Sequence, residues 1–198
     1  MKRLLAVREP IASFAIIVFA YVLCHGITAF AVTPVQRYFL ADITIFASLV
    51  YLPHGVRVLA TWLFGSKAFF PLLAGATLAE ILFTPDSVRS HLDPAILESI
   101  AVGAFSAPLS FEILRLFGRN LYAKQARRIS WKWLILAGAL ASGINSVGQS
   151  IVFRGLILPD EFMSVLAIYA IGDLVGLIVT MIVLMMIFRW IRISDSRI

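Results

Sequence analysis

The sequence predicts an all-α integral membrane protein, a six-helix transmembrane bundle with a broken second segment. Three observations carry that prediction. The first is composition: of 198 residues, 61% are hydrophobic and 14% charged, whereas a soluble domain is about 45–50% apolar and about 25% charged. The mean hydropathy of +0.94 agrees. The second is that apolar stretches of spanning length recur over the whole chain, so residues 1–198 read as a single polytopic domain. The third is the placement of charge. The net charge of +6 sits in short connections and at the ends. That is the topology signal of an inserted protein rather than a phosphate-binding face, and it argues against a nucleic-acid partner.

Taken in order, Lys2, Arg3 and Arg8 precede an apolar run over about residues 11–32. Ala29-Phe30-Ala31 fits a small-x-small cleavage pattern. The run, at about 20 residues, has spanning length rather than the length of a signal core, and it is read as the first helix, ended by Pro34. The second segment, 38–64, is interrupted by Pro53-His54-Gly55. Proline removes an amide donor and crowds the preceding turn, and glycine adds freedom, so two half-helices are expected, near 39–51 and 56–64. The third span is 68–83, followed by a loop at 84–94 with two prolines and mixed charge. The fourth is 95–117, followed by a basic connector at 119–128. The fifth is 133–153 and the sixth 162–191. Trp131, Trp133 and Trp190 fall near helix ends, where an amphipathic ring suits the interface.

With six spans and the N-terminus inside, thirteen of the seventeen Lys and Arg lie on the inner side. Only Arg37, Arg89 and Arg154 lie outside, and Arg57 is within the membrane. The bias places both termini in the cytoplasm, in a membrane of the bacterial cytoplasmic (inner) type, with lipids as the immediate partners.

Polar groups inside a bilayer are costly and face the bundle interior. Counting the helix rise from each cytoplasmic end places Arg57 about 12 Å deep and His54 about 17 Å deep. Glu80 and Asn145 fall at about 18 Å, His25 at about 22 Å, and Gln149 and Asp173 at about 24 Å. Depth makes Glu80 the expected partner of Arg57 and leaves Asp173 for His54, His25 or a ligand. A restarted helix after Pro53 would also present free amides and the positive end of its dipole. The candidate ligand site is therefore His54, Gly55, Arg57, Glu80 and Asp173, for a small anionic or polar molecule. His25, Asn145 and Gln149 are expected to bond between helices. The stripe Ala137, Ala141, Asn145 and Gln149, with Gly138 and Ser142 beside it, is expected to be a packing face.

No catalytic constellation emerges. Gly172-Asp173 with Asp42 is a poor aspartyl-protease pair, because the two carboxylates differ in depth by about 11 Å. There is no Gly-x-Ser-x-Gly motif, no phosphate-binding glycine loop and no dinucleotide fingerprint. The three histidines lack metal-ligand spacing, and the single cysteine, Cys24, forms neither an intrachain disulfide nor a metal cluster. No enzyme activity, cofactor or metal is expected.

One resemblance is carried by Leu52-Pro53-His54-Gly55-Val56-Arg57, then Leu63-Phe64-Gly65, then Phe70-Pro71-Leu72-Leu73-Ala74-Gly75-Ala76, with Gly172-Asp173-Leu174-Val175-Gly176 later in the chain. Over about 52–79 and 171–186 these residues resemble membrane-associated sensor domains of the MASE type. The resemblance implies a multi-span sensor that recognises a ligand. Members of that family carry a signalling domain after the last span and this sequence has none, so output would pass through a membrane or cytoplasmic protein partner. Two other classes stay open. One is a solute-binding transport subunit working with an ATPase. The other is a structural or assembly subunit of a larger membrane complex, docked through its small-residue stripes.

Overall fold

The computed structural model describes residues 2–39, 48–84, 94–123, 131–153 and 162–195. Among them every regular element is helical. α1 (Lys2–Ile27) runs through a π-helical turn (Thr28–Val32) into α2 (Thr33–Phe39). α3 (Leu52–Phe64) passes through a 3-10 turn (Gly65–Ala68) into α4 (Phe69–Phe83). Then follow α5 (Pro94–Leu116), α6 (Trp131–Val152) and α7 (Phe162–Asp195). Asp42 and most of the expected loops at 84–94 and 119–128 lie outside the described residues.

Five helical stretches are long and apolar enough to cross a membrane: Pro10–Phe39, Leu52–Phe83, Pro94–Leu116, Trp131–Val152 and Leu166–Ser194. That is one fewer than the six expected, because α3, the 3-10 turn and α4 form one unbroken helical stretch. Within it the chain doubles back. Gly65 takes φ 74°, a left-handed conformation that suits glycine, and turns the path there. The two ends of the stretch meet at one level: the His25 ring lies 6.2 Å from Tyr51 and 5.7 Å from Phe83, centroid to centroid.

Two expectations about proline are corrected. Pro34 does not end the first helix. The widened turn before it, closed by the Thr33 amide donating to the Thr28 carbonyl, absorbs the proline, and the helix continues to Phe39. Pro53 does not split a helix either. Residues 48–51 are non-helical, and Pro53 sits in the first turn of α3, where its missing N–H costs nothing. The expected half-helix at 39–51 is absent at 48–51, and 40–47 lie outside the described residues.

α3 is the axis of the molecule. Residues 52–61 are buried without interruption, and α3 packs against α1, α5, α6 and α7. Its length, about 20 Å, is short of the ~30 Å hydrocarbon thickness. Val56 and Ala60 face a cluster with Ile17, Tyr21, Leu72, Ala76 and Ala104. Val58 and Leu59 face a second cluster with Ala107, Phe111, Leu134, Ala137 and Leu177. Both clusters are rich in alanine, so the helix backbones come close. The expected packing stripe of α6 is used here: Ala137, Gly138, Ala141, Ser142, Asn145 and Gln149 are all buried within the chain. On α7, Gly172 and Gly176 let the Ser48 and Tyr51 carbonyls lie where a Cβ would stand, and the Tyr51 amide donates to the Gly172 carbonyl at 2.9 Å. Large apolar side chains such as Phe19, Phe30, Ile182, Met185 and Phe188 point outward, as lipid-facing positions do.

Candidate functional site

A cavity of about 380 Å³ opens beside the first turns of α3. Its inner wall carries Tyr21, His25, Tyr51, Arg57, Glu80, Asn145, Gln149 and Asp173, and it extends toward Thr33, Arg37 and Phe153 at one end of the bundle. The volume falls within the range of small-molecule pockets, about 300–1,000 Å³.

Arg57 is 4% exposed. Its Nη2 donates to the Tyr21 hydroxyl at 2.8 Å and more weakly to Tyr51 at 3.5 Å. Its carbon centre lies 5.6 Å and 5.3 Å from the centroids of the same two rings. Nε and Nη1 have no partner. Gly103 makes room for the guanidinium: a Cβ there would lie 2.5 Å from Nη2. The expected Arg57–Glu80 pair does not form, although both side chains line the cavity. Glu80 is half-buried, and its carboxylate bonds to no other described residue.

Asp173 belongs to a chain of contacts across three helices. Asn145 donates to Asp173 Oδ2 at 3.1 Å. Gln149 donates to the Ser99 carbonyl at 3.0 Å and to Asn145 Oδ1 at 3.4 Å, while its own Oε1 has no partner. His54 lies behind Asp173, fully buried, with Nδ1 3.4 Å from Oδ2 and Nε2 3.1 Å from the Gly138 carbonyl. A carbonyl accepts only, so Nε2 carries the hydrogen of a neutral ring and Nδ1 presents its lone pair to the carboxylate. That contact, which lacks hydrogen-bond geometry as it stands, becomes attractive when a further proton sits between the two groups. The ring and carboxylate together are then neutral.

Of the five expected ligand residues, Arg57, Glu80 and Asp173 line the cavity, and His54 and Gly55 do not. Gly55 packs against Thr180 instead. The three expected bundle-bonding residues, His25, Asn145 and Gln149, do line it. The free amides expected at the start of α3 are mostly occupied. Leu52 donates to Thr28 Oγ1 at 3.3 Å, Pro53 has no N–H, and His54 donates to the Tyr51 carbonyl at 3.2 Å. The positive element of the site is thus the Arg57 side chain rather than a helix end. Tyr21 and Tyr51 were not among the expected site residues. Tyr21 was legible: Tyr21, His25 and Thr28 form a polar stripe at helical spacing on an otherwise apolar helix.

Compared with protein-family models, with curated proteins and with solved structures, the chain matches none.

Proposed function

We propose that the chain is a non-catalytic protein of the cytoplasmic (inner) membrane, resembling a sensor domain, that takes a small polar or anionic ligand in the cavity beside Arg57. In this reading the chain crosses the bilayer six times, with α3 and α4 counted separately, and both termini are cytoplasmic. The observation that supports it is a buried arginine on the wall of an open cavity of about 380 Å³, with two nitrogens, Nε and Nη1, that no protein group bonds. A charge held away from water needs a counter-group, and the tyrosine hydroxyls supply only part of one. A bound anion or polar oxygen supplies the rest. The small-residue stripes add nothing to a docking role, since α6 and α7 use theirs inside the bundle.

The test is to purify the native chain and the Arg57→Gln and Glu80→Gln variants in mild detergent and compare the small molecules each retains by native mass spectrometry. A polar or anionic compound held by the native chain and lost from Arg57→Gln is the expected result. Identical profiles from all three would remove the reading. Proteins recovered in the same preparation separate the roles: a signalling enzyme fits a sensor, and an ATPase pair fits a transport subunit.

A further inference from the structure

The cavity presents two charges of opposite sign that do not touch. Arg57 comes from α3 and has two guanidinium nitrogens unbonded. Glu80 comes from α4, and its carboxylate makes no hydrogen bond or ion pair with another described residue. Had the fold needed only to neutralise Arg57, an ion pair with Glu80 would do so. Instead Arg57 is turned to Tyr21 and Tyr51. The other acid of the cavity, Asp173, is fully buried and already accepts from Asn145 at 3.1 Å. The other guanidinium, Arg37, is exposed at the mouth, where solvent screens it.

From this, and resting on the cavity reading above, we infer that the ligand is dipolar: a compact molecule with an anionic group for Arg57 and a cationic group for Glu80. A simple anion would satisfy the arginine and leave a carboxylate of like sign facing it. A simple cation would do the reverse. In a site of low dielectric each mismatch is costly, and a molecule bearing both charges removes both.

The spacing between the two charges is readable with a ladder of probes. The full chain in lipid nanodiscs is titrated with the unbranched ω-amino acids from glycine to aminocaproate, each beside the carboxylate and the amine of the same carbon skeleton. Binding is read by calorimetry and by the shift in thermal unfolding. One amino acid of the ladder binds at least about tenfold more tightly than its matching carboxylate and amine. Arg57→Gln removes its advantage over the amine, and Glu80→Gln removes its advantage over the carboxylate. Glu80 is half-buried, so its variant reads the proposal even if Arg57→Gln does not fold. Carboxylates binding as tightly as the amino acids, with Glu80→Gln without effect, would overturn the dipolar ligand and leave an anion cavity standing. Failure of every probe in all three ladders would overturn the cavity reading as well.

Discussion

A guanidinium in the interior of a helix bundle is held by whatever accepts from it, and for Arg57 that is Tyr21. The contact at 2.8 Å is a hydrogen bond from a charged donor, a class that contributes about 1.5–3 kcal/mol. Tyr21→Phe should therefore destabilise the protein by about that amount, read from thermal unfolding in detergent. In an Arg57→Gln background the same change should cost clearly less, because the two residues share one interaction. Glu80→Gln combined with Arg57→Gln should be additive, since no contact joins the native pair. Additivity for Tyr21 and coupling for Glu80 would reverse the assignment. The helix rise placed Glu80 and Asn145 at one depth and Gln149 and Asp173 about 6 Å deeper, and the cavity gathers these four with Arg57. Depth says nothing of azimuth, however. Glu80 was paired with Arg57 because the two are near in height, whereas the face each helix turns inward follows from packing. That packing rests on contacts such as Tyr21 against Gly75, which no spacing rule for either helix reveals alone.

At the scale of elements, proline and glycine act through position. Pro53 at the start of α3 lacks an N–H that the first turn does not use, so Pro53→Ala should cost only the packing of its fully buried ring, about 1–2 kcal/mol. A split helix would have made proline matter far more. Gly176→Ala is the opposite case. The new methyl would meet the Tyr51 carbonyl, a backbone atom that cannot swing aside. A loss of about 1–3 kcal/mol is expected, as for overpacked cores, while Gly143→Ala, with open space around it, should be neutral or slightly stabilising. Thermal unfolding of the three variants checks all of this. The end of α5 offers a pH test outside the spans. The helix closes with Arg119 donating to the Leu114 carbonyl and Gly118 to the Arg115 carbonyl, a glycine stop with φ 80°. Just beyond, the Tyr122 hydroxyl donates to Glu112 Oε1 at 2.6 Å. Burial, then the bond to Glu112, raise the Tyr122 phenol above its ordinary value of 10.0. A raised value favours the protonated form in the folded state. The stabilisation is complete below about pH 10 and is lost as pH rises toward the folded value, because the unfolded chain releases that proton first. Tyr122→Phe should show a shallower fall in stability above about pH 10 than the native protein, and parallel curves would show that the bond does not form. These features were only partly legible. The glycine and proline positions stood in the sequence, but their meaning depended on which backbone passed beside them.

For the whole molecule, the number of crossings decides the topology. Counted as one span, Leu52–Phe83 gives five crossings and puts the termini on opposite sides. Counted as two, it gives six and puts them on the same side. Hydropathy alone does not choose, because the stretch of 32 residues holds an apolar window long enough for a single crossing. A straight helix of that length would be about 48 Å long, well beyond the bilayer core, so it must tilt strongly or turn back. The geometry favours turning back. Gly65 reverses the path, both ends of the stretch reach His25, and Tyr21 meets Arg57 on the first arm and Gly75 on the second. Short arms of this kind are stable in a membrane only where protein covers them, and α3 is covered by α1, α5, α6 and α7 along 52–61. The charges agree: Lys67, exposed at the turn, falls on the same side as the basic residues 119–128 in the six-crossing arrangement. Reporter fusions at Lys67 and Ile198 should therefore give the same cytoplasmic signal, and one placed in the loop at 84–94 the opposite signal. Fusions at the N-terminus and at 84–94 reporting the same side would make Leu52–Phe83 a single crossing. The cavity would then lose Ala76 and Glu80, which α4 brings back beside Arg57, because 23 residues of straight helix would carry Glu80 about 35 Å from Arg57.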